Sequence, residues 1–281
     1  MPHPAHISFE YFPPQTDQGR KSLLRTSSEL TGLGPDFFSV TYGAGGSTRD
    51  RTLSAVQTLR DAGHDVAPHL SFGASTDEDI SELLERYREM GVKRVVALRG
   101  DVPTGIGSVR HLRYARELVA FLRRTHGDHF HIEVAAYPEV HPDATSPEED
   151  LTHFCEKVSA GANSAITQYF YNPDAYFDFR DRAIARGVNI PIIPGVMPIT
   201  NHDNLVRFSA GCGADIPRWI KLRLEAYRAD EAAIVQFGHE VVTRLCERLL
   251  ANGAPGIHFY TLNQAKPTLA ICNALNLATH A

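Results

Sequence analysis

Short runs rich in β-branched, aromatic and small apolar residues recur along the chain, and each gives way to a longer tract with helical spacing. Eight runs read as strands: 6–12, 36–42, 65–71, 93–99, 130–137, 164–170, 190–196 and 256–261. The intervening tracts carry apolar residues at i, i+3, i+4 and i+7, as in Ile80, Leu83, Leu84, Tyr87 and in Leu151, Phe154, Cys155, Val158, which puts one apolar stripe on a helix. Most strand starts are about 26 to 37 residues apart, the size of one βαβ unit. The last interval is longer, and the stretch from Asn201 to Leu250 reads as an insertion of at least two helices between strands seven and eight.

Strict alternation of strand and helix predicts a parallel sheet, because a parallel connection must cross over a face of the sheet. Eight repeats without a Pro/Gly/Ser-rich linker favour closure, so the expectation is α/β, a single (β/α)8 TIM barrel catalytic domain over residues 1–281 with extra helices between strands seven and eight. A doubly wound open sheet would carry GxGxxG after an early strand. Gly43, Gly45 and Gly46 fail that spacing, and Gly105 with Gly107 lacks the third glycine.

Composition narrows the partners. The chain is 43% hydrophobic and 22% charged with a net charge of −5, which gives no broad cationic field for a nucleic-acid backbone. The cysteines Cys155, Cys212, Cys246 and Cys272 form no CxxC pair and read as reduced thiols. No apolar run approaches the roughly 18 residues of a membrane span, and the opening residues lack an export pattern, so a cytoplasmic protein is expected.

In such a barrel the loops after the strands build the active site. That rule selects Glu10, Thr41 with Tyr42, His69, Arg99 with Asp101, Tyr137 with Glu139 and His141, Gln168 and Tyr260. Each has a plain structural explanation alone: a salt-bridged strand end for Glu10, a turn cap before Pro103 for Asp101, a satisfied core histidine for His69. Polar groups at seven strand ends together point to an active site. None of the five lysines, Lys21, Lys93, Lys157, Lys221 and Lys266, ends a strand, which weighs against Schiff-base chemistry. His126, His129 and His131 are close in sequence, with the last two on one face of a strand, but they precede its C-terminal end and lack a carboxylate in motif spacing, so no metal is expected there.

Six segments at strand ends, SFEYFPP from Ser8, SVTYGA from Ser39, ALRGD from Ala97, AYPEVHP from Ala136, AITQ from Ala165 and HFYTLN from His258, strongly resemble methylenetetrahydrofolate reductase, in the order of its bacterial, catalytic-domain-only members. The resemblance implies a flavoprotein that takes hydride from NADH or NADPH through FAD and reduces 5,10-methylenetetrahydrofolate to 5-methyltetrahydrofolate in ping-pong turnover. It makes Glu10 the general acid that opens the imidazolidine ring, in a setting where burial beside Phe9 and Tyr11 is expected to raise its pKa. Asp101 would tune the flavin and favour the cationic iminium. Thr41, His69, Arg99, Gly100, Asp101, Tyr137, His141, Asp150 and Lys157 match FAD contacts, and Gln168, Phe208 and Tyr260, with Glu10, match contacts to folate or nicotinamide. Gln15, Asn204 and Gln264 depart from the better-known bacterial pattern, at positions tied to folate's anionic tail. The resemblance favours NADH as donor and a homo-oligomer. Two other readings stay open: a flavin-free folate-dependent one-carbon transferase, and a non-catalytic folate-binding barrel.

Overall fold

Alternation along the first strand decides the architecture. In the computed structural model, which describes residues 6–42, 49–72, 75–99 and 114–277, β1 (His6–Tyr11) runs parallel to β2 (Phe37–Val40) on one side and to β9 (Gly256–Tyr260) on the other. Between them in the chain come β3 (Val66–Leu70), β4 (Arg94–Ala97), β5 (His131–Ala136), β6 (Ser164–Thr167), β7 (Ile192–Ile193) and β8 (Gly195–Val196). The spatial order is β7-β6-β5-β4-β3-β2-β1-β9-β8, all parallel. The helices are α1 (Asp17–Thr31), α2 (Arg49–Asp61), α3 (Asp77–Glu89), α4 (Ala115–His126), α5 (Pro147–Ser159), α6 (Pro173–Ala185), α7 (His202–Cys212), α8 (Arg218–Ala226), α9 (Glu231–Ala251) and α10 (Ala265–Ala274). Among the described residues no helix is long and apolar enough to cross a membrane.

The expected seventh strand is divided. Pro194 has no N–H to donate, so the ladder breaks there. Residues before it pair with β6 and residues after it with β9, and this one segment joins the two ends of the strand order into a nearly closed barrel. The Pro194 carbonyl still accepts from the His258 N–H at 3.0 Å. Three helices, α7, α8 and α9, fill the long interval that follows.

Outward side chains of the strands, such as Phe9, Tyr11, Phe38 and Phe259, are buried against helix residues such as Leu23, Leu30 and Val56. Each such side chain stabilises the fold by about 2 kcal/mol. A separate inward cluster, Phe37, Ala67, Val96 and Ile166, fills the barrel axis. Caps start the helices where the loops end: Thr16 accepts from Gly19, Ser146 from Glu149 and Asn201 from Asn204, while Thr76 and Asp79 form a reciprocal capping box.

At the N-terminal end of the barrel, Glu133 of β5 is fully buried and ion-paired with Arg94 at the start of β4. It also accepts from the Ser164 hydroxyl at 2.6 Å and lies 3.3 Å from His131 Nε2. The Arg94 guanidinium sits 4.5 Å from the Phe37 ring centroid, above the floor of the axial core. His131 thus belongs to this plug, whereas His129 precedes β5 and packs edge-on to Phe130, so the two do not share a strand as the sequence pattern suggested. Arg94→Met is expected to lower stability by about 3 kcal/mol, because it leaves a buried carboxylate without its cation. Urea unfolding midpoints check this, and an unchanged midpoint would show the pair to be dispensable.

Candidate active site

Glu10 sits near the C-terminal end of β1 and faces the barrel axis, opposite in direction to Phe9 and Tyr11. Its Oε2 lies 3.2 Å from His69 Nε2 on β3 and 3.8 Å from His258 Nε2 on β9. His258 is completely buried, and its Nδ1 shares a 2.7 Å hydrogen bond with the Ser8 hydroxyl. The β1–β9 register explains the cluster: Ser8 pairs with His258 and Glu10 with Tyr260, so two residues on each strand point the same way at successive levels. The Thr261 hydroxyl ties the two strands by donating to the Glu10 carbonyl at 2.7 Å.

This environment overturns the expected direction of the Glu10 pKa. Burial does push the carboxyl up, but the opposing charge of His69, with the nearby His258 imidazole, outweighs it and holds the pKa down at about 2. The apolar neighbours in sequence, Phe9 and Tyr11, lie on the other face of the strand and do not surround the carboxyl.

Around this centre the expected residues gather on several walls. Tyr260 donates its hydroxyl to the Thr167 carbonyl at 2.7 Å, and burial holds its pKa far above the ordinary phenol range. The seat is tight: a Cβ on Gly195 would stand 2.1 Å from that carbonyl oxygen and 2.6 Å from the Tyr260 ring. Gln168 follows β6, and its side-chain oxygen accepts from the Tyr169 N–H at 2.9 Å. Tyr137, Glu139, Gln168, Tyr169 and Cys212 line one cleft. Phe208, on the adjoining α7, is half-buried against the core with the Arg207 guanidinium 5.0 Å from its ring.

The loop between β5 and α5 presents a polar wall. His141 packs edge-on to Tyr137 with ring centroids 4.5 Å apart, and its Nδ1 accepts from the Asp143 N–H at 3.0 Å. Burial lowers the His141 pKa, so the neutral ring with an accepting Nδ1 carries its proton on Nε2 as a donor. Asp150 is buried and accepts from the His141 N–H at 3.0 Å. Lys157 donates to the Ala135 carbonyl at 2.5 Å, and burial pulls its pKa down to about 8 against the charge of Asp150. Arg99 pairs with Asp143 at 3.1 Å. Thr41 follows β2, and its buried hydroxyl has no hydrogen-bond partner among the described residues. Gly100 and Asp101 lie outside the described residues.

Sequence reasoning missed Ser8 and His258, although the pairing of the last strand with the first, implied by closure, would have brought them beside Glu10. It also missed Tyr114, which stacks on His153 at 5.6 Å and lies beneath the guanidinium groups of Arg99 and Arg116 at 6.0 and 5.2 Å. That exposed ring flanked by cations suits a planar group bearing phosphates. An orphaned hydroxyl, a neutral imidazole donor and a desolvated amine, added to this platform, fit the phosphate and hydroxyl chemistry of a dinucleotide such as FAD.

The family model for methylenetetrahydrofolate reductase matches residues 3–276. The chain is 38% identical to the 5,10-methylenetetrahydrofolate reductases of Pectobacterium carotovorum and Escherichia coli over 97% of its own length and 90% and 91% of theirs. A solved structure of a Clostridium thermocellum protein, described as binding two copies of 5-methyl-5,6,7,8-tetrahydrofolic acid, superposes with a TM-score of 0.69 at 17% identity, covering 98% of this chain and 95% of that one. At that identity the likeness speaks to the barrel fold alone.

Proposed function

The chain belongs to the methylenetetrahydrofolate reductase family, and from that membership we propose that it reduces 5,10-methylenetetrahydrofolate to 5-methyltetrahydrofolate with FAD as relay and NADH or NADPH as donor, in ping-pong turnover. The observation that carries this reading is the Glu10 carboxylate facing the barrel mouth between two imidazoles. Thr41, His69, Arg99, Tyr137, His141, Asp150 and Lys157 would hold FAD, with Gly100 and Asp101 assigned by resemblance. Bound there, FAD would accept hydride from the nicotinamide nucleotide and yield it to the folate.

The chain's own contribution is proton handling and placement. Glu10 gives a proton to the folate nitrogen whose C–N bond breaks as the imidazolidine ring opens, leaving the electrophilic iminium on the substrate. His69 stands within reach of the carboxylate at 3.2 Å, and the Ser8 hydroxyl fixes the ring of the neighbouring His258. Tyr260 and Gln168 would position the pterin, and Phe208 would stack on either substrate in turn.

Purified protein is expected to be yellow. Anaerobic NADH or NADPH should bleach it, and methylenetetrahydrofolate should restore the colour. A colourless preparation that still binds folate would instead favour the flavin-free transferase.

A further inference from the structure

Between β5 and α5 the chain runs through Tyr137, Pro138, Glu139, Val140, His141 and Pro142. Val140 has φ +72°, a left-handed backbone that a β-branched residue rarely adopts. Such a conformation persists only where the surroundings fix it, and hydrogen bonds bracket it here. On one side Glu139 Oε2 accepts from the backbone N–H of Asp215 at 2.8 Å, across 76 residues of chain. On the other, the His141 N–H donates to Asp150. Pro142 closes the contact: a Cβ on Gly213, the left-handed cap of α7, would come 2.6 Å from the Pro142 Cγ. The loop is therefore seated on the end of the helix that carries Phe208, and the Ser209 and Tyr169 hydroxyls meet at 3.0 Å one turn earlier.

Half-buried Glu139 lines the cleft with Tyr137, Gln168 and Cys212. Its bond to Asp215 joins two walls that no sequence-local contact connects. We propose that Glu139 is a positioning residue whose carboxylate latches the Tyr137–His141 loop to the segment after α7, so that the dinucleotide wall and the Phe208 wall of the pocket hold a fixed spacing. Which ligand spans that spacing rests on the folate-reductase reading; the latch itself does not.

The test compares Glu139→Ala with Glu139→Gln in flavin-loaded, full-length protein. Glu139→Ala is expected to raise the KM for methylenetetrahydrofolate about tenfold with kcat within about twofold, the pattern of lost uniform binding. The Gln variant, whose amide oxygen can accept the same N–H, should return KM to within about twofold of the parent. Without any folate, the amides of residues 209–215 should exchange with solvent about tenfold faster in Glu139→Ala and at the parent rate in Glu139→Gln. Unchanged exchange in the Ala variant, or equal defects in both variants, overturns the latch. A parent protein that turns over no folate, with the exchange difference intact, removes the substrate reading and leaves the latch standing.

Discussion

Replacing Glu10 by Gln is expected to slow methylenetetrahydrofolate reduction about 10³-fold, within the range for loss of a general acid. Flavin reduction by the nicotinamide nucleotide should change by less than about threefold, because that half-reaction needs no proton from this carboxyl. Gln keeps the shape and an accepting oxygen but has no proton to give. The direction of the pKa shift says why the neighbours matter: held well below the usual carboxylate range by the His69 charge, the carboxyl rests ionised at pH 7. The acid role therefore requires that a proton be delivered to it, beside His69, during turnover. The folate half-reaction is accordingly expected to fall as pH rises, because the protonated form of Glu10 becomes rarer. Stopped-flow measurement of each half-reaction across pH separates these steps. Equal losses in both half-reactions would remove the acid role from Glu10.

The parts of this centre differ in how plainly the chain announces them. The strand-end placement of Glu10, Thr41, His69, Arg99, Tyr137, Gln168 and Tyr260 was legible because period-2 and period-3.6 patterns mark where strands end. The pKa of Glu10 was misread because neighbours in a strand's sequence are not neighbours in space: Phe9 and Tyr11 point to the helices, and the true partners lie on β3 and β9. His258 is hidden within the apolar run Gly256–Tyr260, and its role depends on a register between residues 250 apart. Pro194 was visible, yet a hydrophobic pattern cannot say which neighbour each half of a divided strand will choose. Glu139 stood among the strand-end candidates, but its partner is a backbone N–H in the connection between α7 and α8, which no side-chain pattern encodes.

Lys157→Met is expected to stabilise the flavin-stripped protein while weakening flavin binding roughly 10–100-fold. The stability half follows from linkage. The folded pKa of about 8 lies below the unfolded value near 10.5, so from about pH 8 to 10.5 the unfolded chain holds the extra proton and stability rises with pH. Below pH 8 both states are charged and the native state carries the desolvation cost in full. Part of that cost is relieved by the Ala135 carbonyl and by the Phe154 ring, whose centroid is 5.7 Å from the amine, so removing the charge should gain only about 1–2 kcal/mol at pH 7. Met fills nearly the same volume without a charge. The binding half follows from the same burial: a desolvated ammonium beside an anionic phosphate makes a bond of about 1.5–3 kcal/mol, which corresponds to roughly 10–100-fold in affinity. Urea unfolding at pH 7 and 9.5 should show the parent gaining stability with pH and the Met variant flat by comparison, and FAD titration of the stripped proteins measures the affinity loss. A Met variant that is less stable at pH 7 would mean that the bond to Ala135 outweighs desolvation, and the amine would then belong to the fold rather than to the ligand.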